Sequence, residues 1–359
     1  MRRLAVSFVG AAALSCSTGF GLAAQPRAPP GPSLVQLAST TRSANRATAV
    51  LVHGLDSSKE TWSAVLSDLA DCGYPAIALD LRGHGESPLG NPADFNAMTL
   101  AADVLDAVRA AGINKYVLVG HSMGGRIAMR VAALEAASWQ ERCEKDVIRV
   151  SLLRAVVIED MDVSPRSWDP ALSNEEGERL ARWNDGHGSK GRRFASWEDC
   201  RAALLPWYND EARVDSWRGK RVRPIPARRP AVNDHGSSNN DESASCATEW
   251  WSDINPMARR LAWQHVLSTS DGAEAWDSLA SFASSSPSGS LPFEVALWYA
   301  DKSGTVVKDG ADDIGGITDM KRRFPQARVR MFEGSSHSVH NTKSADFVEA
   351  LKALVDEVS

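Results

Sequence analysis

The pentapeptide Gly120-His121-Ser122-Met123-Gly124 constrains this chain more than any other feature. The apolar run Tyr116 to Val119 precedes it and reads as a strand, and Gly124 to Ala136 continues with helical spacing. A serine at a strained strand-to-helix turn needs small neighbours, because larger side chains would clash around it. The turn lifts the Ser122 hydroxyl above the end of a strand and puts the Met123 N–H at the start of a helix. A serine that merely caps the helix would fit the same pattern, so the rest of the chain must decide between the two.

The rest of the chain alternates strand and helix. Thr48 to Val52, Ala76 to Leu79, Arg154 to Ile158, Val295 to Tyr299 and Arg328 to Phe332 are short apolar or β-branched runs that read as strands. Between them, residues 59–71, 99–111, 316–323 and 344–357 have helical spacing, with Thr99 as a cap and Gly112 as a stop for the second. This alternation predicts an α/β fold with a mostly parallel sheet and helices on both faces. Ligands of such sheets sit beyond the carboxyl ends of the strands. His53-Gly54, Asp80 to Ser87, Gly120 to Gly125, Glu159 to Asp162 and His337 all fall there. Only Ser33 to Ala38 could supply a strand ahead of Thr48, so the sheet is expected to be short at that edge.

Composition narrows the function. Of 359 residues, 43% are hydrophobic and 24% charged, which suits a globular protein. A net charge of −5 argues against a nucleic-acid partner, which would require a basic surface. Five dispersed cysteines form no metal-type pairs, so no metal is expected. The turn at Gly120-His121-Ser122 carries no Gly-x-Gly-x-x-Gly pattern, and no cofactor is expected. Residues 1–24 have a cationic head (Arg2, Arg3), an apolar run from Leu4 to Leu14 and a small-residue exit. That is a leader pattern, and the run is shorter than the ~20 residues of a membrane span. Residues 25–45 form a basic, Pro- and Ser/Thr-bearing linker. The pair resembles the two-part plastid leader of algae with complex plastids, with secretory or mitochondrial targeting as the alternatives.

In sequence order, Val52-His53-Gly54-Leu55, Asp80-Leu81-Arg82-Gly83-His84-Gly85-Glu86-Ser87 and Gly120-His121-Ser122-Met123-Gly124-Gly125 resemble the α/β-hydrolase superfamily. Arg126-Ile127-Ala128-Met129 and Phe324-Pro325-Gln326-Ala327-Arg328 are similar to the branch of α/β-hydrolase-domain-containing protein eleven and related small bacterial esterases. The resemblance implies a serine hydrolase of carboxylic esters or thioesters, with Ser122 as nucleophile and His337, in Gly334-Ser335-Ser336-His337, as base. It implies an oxyanion hole made by the N–H groups of Leu55 and Met123. A serine at position 122 argues against the epoxide hydrolases and dehalogenases of this fold, which need a carboxylate there. A lipase, a peptidase, a C–C bond hydrolase or a non-catalytic binding homologue would share the pattern. Small-molecule esters are the expected partners, and oligomeric state is not readable.

The orienting acid has three candidates. Asp160, at the end of the Arg154 strand, is favoured, with Asp162 and Asp301 as alternatives. Asp301 stands two residues before Ser303, where the superfamily's usual aspartate would fall. Glu159 to Asp162 also reads as a solvated acidic loop. His53 is expected to hold its loop. With Gly54, His121 and His340, it is also expected to contribute to the substrate pocket.

The catalytic domain is thus expected in two halves, 46–165 and 291–359. Residues 166–290 form an inserted lid, Trp- and Arg-rich, disordered around 219–248, whose tryptophans anchor it to the core or line an acyl pocket. Residues 138–150 read as a second surface insertion.

Overall fold

The structure, a computed structural model, describes residues 36–38, 46–144, 152–167, 193–208, 210–226, 248–286, 288–301 and 315–359. The leader and all of the linker except Gln36–Ala38 lie outside the described residues, as does Ser303.

Seven strands form the central sheet: β1 (Gln36–Ala38), β2 (Thr48–Val52), β3 (Ala76–Leu79), β4 (Tyr116–His121), β5 (Leu153–Glu159), β9 (Glu294–Ala300) and β10 (Arg328–Phe332). Their order is β1-β3-β2-β4-β5-β9-β10. Only β1 runs antiparallel, pairing Gln36 with Leu79 and Ala38 with Ile77. β2 to β5 and β9 are almost wholly buried. A strand covered on both faces has no wet side to encode, so these strands read as unbroken apolar runs. Edge strand β10 is exposed at its first four positions and carries Arg328 and Arg330 there. Charged side chains of this kind discourage edge-to-edge pairing.

Alternate residues serve two cores. Val50 and Val52 face one cluster, with helices α2 (Ala97–Ala110), α3 (Met123–Glu144) and α7 (Asp271–Ser285). Ala49 and Leu51 face the other, with α1 (Ser63–Asp71) and α10 (Ser344–Val358). The cap of α2 is Asn96, whose Oδ1 accepts the Thr99 N–H at 3.0 Å, so the helix starts before the predicted Thr99. Gly112, at φ +64°, ends it as expected.

The middle of the chain divides in two. Strands β6 (Arg193–Phe194), β7 (Val222–Pro226) and β8 (Thr248–Ser252) form a separate antiparallel sheet of order β6-β8-β7. With α4 (Trp197–Tyr208) and α5 (Glu211–Asp215), they enclose a small core of Phe194, Trp197, Leu204, Val214, Trp217 and Val222. This is the cap. Part of the stretch expected to be unstructured is therefore strand β7, and residues 227–247 lie outside the described residues.

Residues 256–285 were expected in the lid but belong to the main core. In this stretch lie α6 (Pro256–Ala262) and α7. Trp276 of α7 is fully buried and donates its indole N–H to the Met320 carbonyl at 2.9 Å. Arg130 of α3 bonds the Asp271 carbonyl at 3.0 Å and ion-pairs with its carboxylate. Sequence reasoning assigned this helix to the lid because it follows a polar stretch; its apolar stripe packs instead on α3. Residues 138–144, read as an insertion, continue α3.

Candidate active site

Steric contacts explain the glycines of the elbow. A Cβ on Gly120 would lie 2.2 Å from the Gly124 carbonyl oxygen, and one on Gly124 would lie 2.6 Å from the carbonyl oxygens of Val52 and His53. Both contacts are with backbone, which cannot step aside. Ser122 itself sits at φ +52°, a left-handed conformation that strains a side-chain-bearing residue. Its N–H donates to the Glu159 carbonyl at 2.9 Å, which ties the turn to β5. Met123 opens α3, so its N–H is among the helix-start donors without an intrahelical acceptor. Gly54 closes the other side: a Cβ there would stand 3.0 Å from Ser122 Cβ. Leu55, next in the chain, is thereby carried to the edge of the elbow.

The structure brings His337 and Asp160 together. His337 Nδ1–H donates to Asp160 Oδ2 at 2.6 Å. The aspartate is fully buried and the histidine 36% exposed, so the pair has one sealed end and one open end. Asp160 Oδ1 also accepts the Ala300 N–H at 3.2 Å, and the Asp160 N–H donates to the Trp298 carbonyl at 2.8 Å. Its φ of +44° turns the carboxylate out of line with β5. His337 is fixed through its own main chain, since its carbonyl accepts the His121 Nε2–H at 3.0 Å.

The other two acids are elsewhere. Asp162 accepts the Ser164 N–H at 2.9 Å and ion-pairs with Arg166 at 2.9 Å and Arg126 at 3.6 Å. Asp301 accepts the Gly334 N–H at 2.6 Å and helps line a 560 Å³ cleft with Arg330, Lys343 and Asp346.

Three of the expected pocket residues are buried in the scaffold instead. His53 contacts its neighbour's carbonyl, Gly54 O, through Nδ1 at 2.7 Å, and its Nε2 accepts the Leu81 N–H at 3.1 Å. Burial pushes its pKa down to about 4. Burial likewise lowers His121 to about 3, so both stay neutral. His340 is fully buried against Glu159, which accepts its main-chain N–H at 3.0 Å and its Nδ1–H at 2.8 Å. On its far side, His340 Nε2 meets Thr61 Oγ1 at 3.0 Å. Glu159 is therefore no solvated loop residue. Burial pushes its carboxyl up, but the imidazoles of His340 and His121 outweigh that and hold it below the usual range.

His121, Glu159 and His340 are also the one three-residue grouping among the described residues with metal-ligating chemistry, their ligand atoms within 4.8 Å of one another. A zinc ion at ~2.0–2.1 Å from each ligand needs those atoms closer together. Glu159 is already committed to two hydrogen bonds from His340.

Sequence reasoning missed Asp56. It follows Leu55, is buried and sits at φ +53°. It accepts the Tyr208 hydroxyl of the cap at 3.1 Å and ion-pairs with Arg259. The cap is thereby fastened to the loop that carries Leu55. The Arg82-Gly83-His84-Gly85 loop rests on a second buried set of charges. Asp80 accepts Lys59 Nζ at 2.8 Å, and Arg82 pairs with Asp103 through two bonds of 2.6 and 2.7 Å. Among the cap tryptophans, Trp197 and Trp250 flank Arg218 at 5.5 and 5.6 Å, an anchoring arrangement.

The profile of the alpha/beta hydrolase fold family matches residues 49–344, and the chain belongs to that family. Among curated proteins it is similar to N-formylmaleamate deformylase of Pseudomonas putida, 30% identical over 60% of this chain and 56% of that protein. It is also similar to esterase YbfF of Escherichia coli, 25% identical over 87% of this chain and 94% of that one. The alignment thus spans little more than half of the deformylase. A solved marine microorganism esterase shares the fold at a TM-score of 0.56 and 16% identity, covering 90% of this chain and 99% of that one. Among the described residues no helix is long and apolar enough to cross a membrane.

Proposed function

We propose that the protein is a serine hydrolase that cleaves carboxylic esters or thioesters through an acyl-enzyme. The observation that carries this reading is the left-handed Ser122 at the elbow, with a half-open His337 that is held by the buried Asp160 and hydrogen-bonded through its carbonyl to Ser122's chain neighbour His121. Ser122 Oγ attacks the acyl carbon as His337 Nε2 takes its proton. Asp160 holds the imidazole in the tautomer that leaves Nε2 free to accept, and it stabilises the imidazolium once formed. The N–H groups of Leu55 and Met123 receive the developing oxyanion. His337 then returns the proton to the leaving alcohol or thiol. Water, deprotonated by the same nitrogen, releases the acid and restores Ser122. Similarity to proteins named esterase and deformylase supports transfer of an acyl group to water.

A fluorophosphonate probe tests the reading. Labelling of the purified chain that disappears in Ser122→Ala is the expected result. A folded wild-type protein that takes no label and cleaves no p-nitrophenyl ester overturns it.

A further inference from the structure

A cleft of about 440 Å³ lies between the cap and the core, lined by Ser57, Ser58, Thr61, Lys220, Arg221 and Asn341 among others. Two of its walls are continuous in the chain with the site's loops. Ser57 and Ser58 continue the loop that carries Leu55, and Asn341 Nδ2 contacts His340 Nε2 at 3.1 Å in the base loop. From the cap side comes the turn Lys220-Arg221.

The lining sets Lys220 and Arg221 against Glu60 and Asp253, and both acids have other partners. Asp253 is bound by Arg223 at 3.2 Å and by the Trp251 indole N–H at 3.0 Å. Glu60 is exposed and accepts the Ser63 hydroxyl at 3.2 Å. The Arg221 Nη2 is sealed from solvent and has no hydrogen-bond partner among the described residues. The side-chain neighbours of Arg221 include the Trp217 ring, 5.9 Å away, and the charged or polar groups of Asp253, Arg213 and Tyr208. A buried guanidinium normally has its donors satisfied, because an unpaired desolvated charge is costly. Here burial lowers its pKa to about 10, despite the nearby charge of Asp253. Its positive charge also reaches His53, beneath the Leu55 loop. The planar fork of arginine matches a carboxylate through two parallel bonds, and the Ser58 hydroxyl also lines the cleft.

We propose that this cleft is an anion subsite in which Arg221, with Lys220, receives a carboxylate carried by the ester substrate. The assignment rests on the hydrolase reading for its substrate and on the unpartnered Nη2 of Arg221 for its chemistry. The substrate class becomes half-esters or half-thioesters of dicarboxylic acids.

The test compares p-nitrophenyl hemiglutarate with p-nitrophenyl valerate, which is similar in length but uncharged. The wild type should favour the charged ester in kcat/KM by about tenfold, the worth of one charged hydrogen-bond pair. Arg221→Gln should erase that ratio and Arg221→Lys should restore part of it. Arg109→Gln, an exposed control, should leave the ratio alone. Equal rates for the two wild-type esters, or equal losses on both in Arg221→Gln, overturn the subsite. Titration calorimetry with glutarate keeps the two readings apart. Glutarate binding that vanishes in Arg221→Gln supports the subsite even if neither ester is cleaved, an outcome that sinks only the hydrolase reading. Inorganic phosphate binding as tightly as glutarate would make this a free-anion site and overturn the substrate assignment.

Discussion

Two neighbouring carboxylates at the end of β5 do the same thing in different surroundings. Asp160 holds His337, and Glu159 holds His340 three residues further on. Each pair is a carboxylate on an imidazole Nδ1–H. His337 is 36% exposed, whereas His340 is fully buried under Trp62, with ring centroids 4.0 Å apart. The chemistry of the pairs barely differs, but their access does. An imidazole whose second nitrogen is open can move a proton to a substrate. One whose second nitrogen is committed to Thr61 and Asn341 can only hold a loop in place. Alternating strand geometry produces both outcomes from consecutive residues, with the left-handed Asp160 re-aiming one of them.

The contrast can be broken most forcefully at Asp160. Asp160→Asn should cut ester hydrolysis by about 10⁴ with little change in melting temperature. Asp301→Asn, which loses only a turn contact, should stay within about threefold of wild type. A reversed order would move the orienting role to Asp301.

The sealed side should answer to acid. His53 and His121 stay neutral in the fold down to about 4 and about 3, whereas in the unfolded chain they protonate near 6.5. Below 6.5 the unfolded chain therefore binds more protons, and stability falls as pH falls. Glu159, held below its ordinary 4.5, adds a loss of the same sign once the pH drops past that value. Urea unfolding at pH 7 and pH 5 should differ by roughly 4 kcal/mol from the two histidines. A flat profile would show that these imidazoles are open to protons in the fold.

Glu159→Gln sharpens the comparison from the other direction. Removing the charge beside buried His340 should cost about 2–3 kcal/mol of stability and far less than Asp160→Asn in rate per folded molecule. A loss of activity matching that of Asp160→Asn, in a protein that melts normally, would make the two pairs one functional unit. The smallest effect is expected at the cap clamp. Tyr208→Phe removes one hydrogen bond to Asp56 and should cost about 1 kcal/mol. Because Asp56 adjoins Leu55, its kinetic effect should fall on kcat more than on KM. A change in KM alone would deny the link between the cap and the Leu55 loop.

Much of the fold was legible because parallel strands buried on both faces leave continuous apolar runs, and five of the seven strands of the central sheet follow such runs. Ser122 and His337 were legible because turns and their glycines leave local signatures. The choice of Asp160 over Asp162 was legible only as a preference, since it depends on a left-handed residue that no side-chain pattern encodes. Glu159 was read as equally able to be solvent-facing, because a buried acid and an exposed one are written with the same letter. Its partner lies 181 residues away. The lid boundary was misplaced for a similar reason: polar sequence before α7 hid that its inner stripe, with Trp276, completes the main core.

One feature of the sheet bears on when this protein becomes competent. β4 and β5 are adjacent in space and in sequence, so the Ser122 turn and the Glu159 end of β5 can pair early, whereas His337 lies 177 residues beyond Asp160. At a synthesis rate of about 5–20 residues per second, that gap lasts roughly 9–35 s. Through that interval a nascent chain presents a folded nucleophile with no proton acceptor. On the proposed mechanism it stays chemically silent until the far strand docks, so hydrolysis reports that the whole core has closed.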